Sequence, residues 1–219
     1  MLQDIAFAFW FLLPAAIANA APVLSAAIPA LKQWDSPIDG GRTLHGKALL
    51  GPHKTWRGLI SGVIAATAVL WIQQLAYTHG NWAQFMSGPV NYEMLPILIL
   101  GPLFAIGALG GDAVESFFKR QHGIKSGSAW VPFDQIDYII GAIIASLPIV
   151  IATAPQYIWM LLLWFGMHLL FSYIGWLIGL KKDPISLPSI ADKCIQPQCY
   201  RKPHSNICGS TNSGNIKNA

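Results

Sequence analysis

Residues 110–142 read GGDAVESFFKRQHGIKSGSAWVPFDQIDYIIGA. Two carboxylates, Asp112 and Glu115, precede three basic residues, Lys119, Arg120 and Lys125. Two more carboxylates, Asp134 and Asp137, follow, and both flanks of the stretch are strongly apolar. Charge packed this densely between apolar runs predicts two helices that cross a membrane and share a charged turn at one of its faces.

The rest of the chain agrees with that reading. Its 219 residues are 53% hydrophobic and 11% charged, with mean hydropathy +0.45. A soluble domain carries about a quarter charged residues, so that class is excluded. Backbone polar groups in lipid need partners within the chain, which favours an all-α bundle. Apolar runs near the ~20 residues needed to span a bilayer lie at Ile5–Leu31, Leu59–Tyr77, Met94–Phe118, Ile136–Ala154 and Tyr157–Leu180. The expected fold is therefore a polytopic membrane bundle of about five transmembrane helices over residues 1–180. The polar segment 181–219 is expected to be a disordered cytoplasmic tail.

Pro14, Pro22 and Pro29 fall in the first run, which is expected to be kinked or broken. The stretch AIANAAP (16–22) looks like a signal-peptidase site, but no Lys or Arg precedes it, so cleavage is not expected. All 14 basic residues fall between the first and second runs, between the third and fourth, or in the tail. The positive-inside rule then puts the N-terminus outside and the charged loops and tail in the cytoplasm of a cell-membrane protein.

With that topology Asp112 and Glu115 share one helix face at the cytoplasmic edge, and Asp134 and Asp137 repeat the spacing on the next span. Four converging carboxylates suit a hard cation such as Mg²⁺, which takes carboxylate oxygen together with substrate phosphate. Simpler roles are open for each: Asp134 as a helix cap, Asp112 and Glu115 as ion-pair partners of Lys119. The first charged loop, SPIDGGRTLHGKALLGPHKTWRG (36–58), adds glycines and basic residues. Lys54 and Arg57 stand near a helix N-terminus, where anions are favoured, although positive-inside anchoring explains them as well. Together these parts suit phosphoryl or nucleotidyl transfer, in which positioning and charge neutralisation do most of the catalysis. The cytoplasmic edge is where a soluble nucleotide could meet a lipid phosphate.

The motifs PIDGG (37–41), GPHKTWRG (51–58), GD (111–112) before SFFKR (116–120), and DQIDYIIGA (134–142) resemble the CDP-archaeol synthase family, related to CDP-diacylglycerol synthases. The resemblance covers roughly residues 10–180. It implies a helical membrane enzyme that moves CMP from CTP to a lipid phosphate with Mg²⁺ and releases pyrophosphate. Carried over by position, Asp112, Asp134 and Asp137 would hold the metal, with Glu115 as a possible fourth ligand. Lys119, Arg120, Lys54, Thr55 and Arg57 would hold phosphate, and Lys125 in the same loop joins them. Asn19 and Asp39 match family positions that contact substrate, and Ser116 would support them. One departure is His45, where archaeal members often have an acidic residue before the glycine; the tail after Leu180 is another.

The expected partners are CTP, a lipid phosphate and the surrounding lipids, without nucleic acid; a homodimer is compatible with the sequence but not read from it. Two competing readings are an isoprenoid-lipid phosphotransferase using the same parts, and a small transporter or lipid-binding protein whose carboxylates handle ions. In the tail, Cys194, Cys199, His204 and Cys208 only loosely resemble a zinc knuckle. His168 is expected to pack within the last span. Trp71, Tyr77, Trp82, Tyr157 and Trp159 are expected to form an interfacial belt.

Overall fold

A computed structural model describes residues 1–124 and 130–177. The Lys125 expectation and those for the tail, including its Cys and His residues, lie outside the described residues. Long helices dominate: α1 (Leu2–Ala27), the short α2 (Pro29–Lys32), α3 (Trp56–His79), α4 (Asn81–Ser87), α5 (Ile97–Gln121), α6 (Phe133–Ser146) and α7 (Ala154–Leu177). Among the described residues four helices, α1, α3, α5 and α7, are long and apolar enough to cross a membrane. Their outer faces expose Ile64, Ile72, Leu98, Ile106 and Leu162, side chains suited to lipid.

α6 departs from the expected fourth span. It has 14 residues, about 20 Å at a rise of about 1.5 Å per residue, and ends just before Leu147–Pro148. The apolar run continues to Ala154, but a proline disfavours helix in the residue before it. The irregular connection satisfies its own backbone: Val150 N donates to Ser146 O at 2.9 Å, Ala152 N to Tyr157 Oη and Thr153 N to Gln156 Oε1, both at 3.0 Å. Non-helical backbone beside lipid needs partners of this kind. Tyr157, expected in the interfacial belt, thus has a structural role, and Tyr77 stacks on buried Tyr92 at 6.0 Å.

α1 is the centre of the bundle and packs against α3, α4, α5, α6 and α7. Phe7, Ala8, Phe11, Leu12, Ala15 and Ala18 form its buried stripe at helical spacing. The expected break comes late. Pro14 and Pro22 lie inside a continuous helix, and only at Ile28, extended before Pro29, does the chain leave it. The prolines are accommodated by neighbours. Pro14 has no N–H for the Trp10 carbonyl, and Gln73 of α3 donates to that oxygen instead, at 2.6 Å. Pro22 leaves the Ala18 carbonyl without its helical donor. There α3 comes close at Gly62, where a Cβ would lie 3.2 Å from that oxygen.

This gives a stability prediction. Gln73→Leu strands the Trp10 carbonyl and should cost about 1–3 kcal/mol, read as a lowered thermal midpoint in detergent. Adding Pro14→Ala restores a backbone donor, so the double variant should recover most of the loss. Equal losses with and without Pro14 would sever the proposed link between the two residues.

The α5–α6 interface positions the site. Gly107 and Gly111 on α5 face Gly141 on α6 so closely that a Cβ on Gly111 would strike the Asp137 carbonyl, and one on Gly141 the Gly107 carbonyl. Small residues four apart let two membrane helices approach backbone to backbone. His168 lies beside Tyr138 of α6, ring centroids 6.3 Å apart, as expected of a packing residue.

Candidate active site

The first charged loop is folded rather than a flexible glycine strap. Ile38 N donates to Lys54 O at 2.8 Å, and Trp56 N to Ser36 O at 3.0 Å. Between them β1 (Thr43–Leu44) pairs antiparallel with β2 (Lys47–Ala48). His45 and Gly46 make the two-residue turn, with φ of 49° and 76°. Such turns need left-handed residues at both positions, so Gly46 suits its place and His45 is an unusual occupant. Asp39, expected to contact substrate, braces this loop: its oxygens accept from Gly41 N at 2.9 Å and Leu50 N at 3.0 Å.

The loop docks on the end of α5. Lys47 Nζ donates to the Gln121 carbonyl at 2.5 Å, and Lys54 Nζ forms an ion pair with Asp112 Oδ2. Both charged segments therefore meet at one end of the bundle, as the distribution of basic residues requires.

There the packing of α5 on α6 brings Asp112, Glu115 and Asp137 together, with one oxygen from each within 4.8 Å of the others. Glu115 is buried, and its Oε1 takes no hydrogen bond, though Lys119 Nζ lies 3.4 Å away. Asp134 is not one of these three but lies beside Glu115 and shares Lys119 with it. Both its oxygens accept from Lys119 Nζ, at 2.7 and 2.9 Å, and Oδ2 also accepts from Trp130 N at 2.8 Å. The capping alternative is thereby modified: Asp134 reaches back to the segment preceding α6, whose N-cap position is Pro132. The buried ammonium of Lys119 is held between Glu115 on its own helix and Asp134 on the next.

The other sequence candidates divide by location. Thr55 is the N-cap of α3, its Oγ1 accepting from Gly58 N at 3.2 Å. Arg57 is buried against the end of α2: Nη1 donates to Leu31 O at 3.3 Å and Lys32 O at 3.5 Å, and Nη2 lies 3.6 Å from Asp35 Oδ1. Arg120 is buried near the end of α5 and donates to Ile124 O at 2.7 Å. Ser116 is buried on α5, and Asn19 is half-buried on α1. Sequence reasoning named Glu115 as a possible ligand and missed the glycines that set its neighbours. The Gly107-x-x-x-Gly111 spacing was the available signal.

Three carboxylates beside two lysines at one end of the bundle can hold a hard divalent cation and receive phosphate. A family model described as CarS-like, CDP-archaeol synthase, matches residues 1–185. The chain is 36% identical over 185 residues to the CDP-archaeol synthase of Thermococcus onnurineus, covering 84% of this chain and 98% of that one. It is 38% identical over 162 residues to that of Methanospirillum hungatei, covering 71% and 93%. A solved structure described as "Structural insight into an intramembrane enzyme for archaeal membrane lipids biosynthesis" aligns with TM-score 0.59 and 31% identity, covering 75% of this chain and 91% of that one. With its membrane bundle and its charged end, the chain belongs to the CDP-archaeol synthase family.

Proposed function

We propose that this protein transfers CMP from CTP to the phosphate of an ether-type archaeal lipid, releasing pyrophosphate and leaving a CDP-activated lipid. The observation that carries the reading is the Asp112–Glu115–Asp137 group, with oxygens within 4.8 Å, facing Lys54 and Lys119 at one end of a membrane bundle. Family membership supports this chemistry over the phosphotransferase and transporter readings.

Asp112, Glu115 and Asp137 fit Mg²⁺: the donors are all carboxylate oxygens, and the buried Glu115 Oε1 takes no hydrogen bond. Bound there, Mg²⁺ would neutralise phosphate charge and polarise the phosphoryl group under attack. Both oxygens of Asp134 accept from Lys119, so its proposed role is to aim the ammonium. Lys54, Lys119, Arg120 and Lys125 are the proposed phosphate partners. In the reaction a non-bridging oxygen of the lipid phosphate attacks the α-phosphorus of CTP, the bond from that phosphorus to the α–β bridging oxygen breaks, and the electron pair leaves with pyrophosphate. Neither covalent attachment to the protein nor a side-chain nucleophile is required. Asp39, Thr55 and Arg57 serve by holding the first loop and the start of α3, while Asn19 and Ser116 are proposed substrate contacts.

Purified protein should release pyrophosphate only when CTP, a lipid phosphate and a divalent cation are all present. Release without the lipid, at the same rate, would refute the transfer reaction. The proposed orientation, charged end in the cytoplasm, has its own test. In a background without the three native cysteines, Asn81→Cys and His53→Cys should react with an impermeant thiol reagent from opposite sides of intact cells. Reaction of both from one side would overturn the topology.

A further inference from the structure

Lys54 of the first loop reaches the carboxylate group. Lys54 Nζ is in contact with Asp112 Oδ2, and among the described residues Asp112 is its only hydrogen-bonding partner. The backbone around Lys54 is fixed by its own bonds: its carbonyl accepts from Ile38, its N–H donates to Gly51 O at 3.4 Å, and the next residue caps α3. Any movement of this charge therefore belongs to the flexible lysine stem, not to the loop. Lys119, by contrast, is buried and clamped by both oxygens of Asp134.

The two ammonium groups thus differ in kind. Lys119 is built in, whereas Lys54 is only partly buried and rests on an oxygen that belongs to the proposed cation group. A hard divalent cation and an ammonium compete for the same carboxylate. The cation carries twice the charge and engages several oxygens at once, while a lysine makes a point contact on a stem that readily swings. Once the cation is bound, repulsion drives Lys54 off Asp112, and the nearest compensating anion is the phosphate chain that arrives with the nucleotide. Glu115 bears on the same point: its buried Oε1 takes no hydrogen bond, with Lys119 Nζ 3.4 Å away, while Lys54 contacts Asp112.

We propose that Lys54 is the internal counter-ion of the cation site, displaced from Asp112 when a divalent cation binds and so released to hold a phosphate of the nucleotide. The inference rests on the carboxylate group being a cation site, as proposed above. It makes a demand that neither a plain phosphate ligand nor a structural lysine would make. Loss of Lys54 should strengthen binding of the bare cation and weaken binding of the nucleotide. A plain phosphate ligand leaves cation affinity unchanged, and a structural lysine weakens both.

The test uses the full chain in detergent or nanodiscs, with Mn²⁺ binding read by electron paramagnetic resonance in the absence of nucleotide. Lys54→Met should bind Mn²⁺ about tenfold more tightly than the parent, the effect of removing one unit charge beside the site. In the unmodified protein, labelling of Lys54 by an amine-reactive reagent, read by mass spectrometry, should speed up several-fold with Mg²⁺ alone and slow again when CTP is added. Unchanged or weaker Mn²⁺ binding in Lys54→Met, or Lys54 labelling no faster with Mg²⁺, overturns the inference. If Lys54→Met does not fold, the labelling decides. Asp112→Asn that binds Mn²⁺ as well as the parent would remove the cation site itself, and this inference with it. Normal Mn²⁺ binding lost in Asp112→Asn, with an unresponsive Lys54, overturns the inference alone.

Discussion

Asp112→Asn and Asp137→Asn should each lower formation of the CDP-lipid by a factor of about 10² or more, given the transition-state charge that a metal and its ligands stabilise. The substitutions keep shape and remove one negative charge from a group whose oxygens lie within 4.8 Å. Partial rescue by raised Mg²⁺ or by Mn²⁺ is expected in at least one of them. Asp134→Asn should behave differently. Its oxygens hold Lys119 rather than joining the group, so the variant should lose turnover without a change in the cation concentration needed for half-maximal rate. The measurement is a Mg²⁺ titration of initial rates for all three variants. Wild-type rates and metal dependence in both Asp112→Asn and Asp137→Asn would end the metal assignment.

Gly111→Ala and Gly141→Ala should be nearly as damaging, although neither glycine has a side chain to offer substrate. A methyl group on Gly111 would strike the Asp137 carbonyl, and one on Gly141 the Gly107 carbonyl, so α5 and α6 must separate. A misplacement of about 1 Å between catalytic groups costs on the order of 10²-fold in rate, and that is the expected loss. Gly110→Ala is the control. Its added methyl group meets nothing within 4 Å, and alanine is the better helix former by about 1 kcal/mol. Near-normal turnover is expected there. Equal losses at Gly110 and Gly111 would mean that the glycines act through helix flexibility rather than close approach.

Those glycines also mark where sequence reasoning ran out. Apolar runs and the segregation of basic residues were enough for a membrane bundle with both charged segments at one end, since burial in lipid leaves the backbone few options. Proline chemistry pointed to a kink or break in the first run, which the structure puts at Ile28 before Pro29, and could have located the end of α6, because Leu147 precedes Pro148. Hydropathy ran past that point because apolar side chains tolerate irregular backbone when neighbouring groups satisfy it, as Tyr157 and Gln156 do.

Partnerships across helices were harder to read. Spacing within α5 suggests the Glu115–Lys119 pair, which forms at 3.4 Å, yet the shorter contacts of Lys119 are to Asp134, on the next helix. Which of the four carboxylates gather depends on the register of α5 against α6. Three glycines set that register, and no pattern of charge predicts it. The same holds for Arg57 and Asp39. The resemblance named both as substrate contacts, and their bonds within the chain, to loop amides and helix-end carbonyls, could not be read from it. Gln73 was invisible for a related reason, because its importance arises from Pro14 on another helix.

Two separately labelled samples of CTP test the central claim most directly. Purified protein is incubated with Mg²⁺, an ether-type lipid phosphate and CTP carrying ³²P at either the α or the γ position, and the lipid fraction is counted. Transfer of CMP predicts label in the lipid from the α position, none from the γ position, and γ label recovered in pyrophosphate. Label entering the lipid from the γ position, or no lipid label from either, would contradict the account.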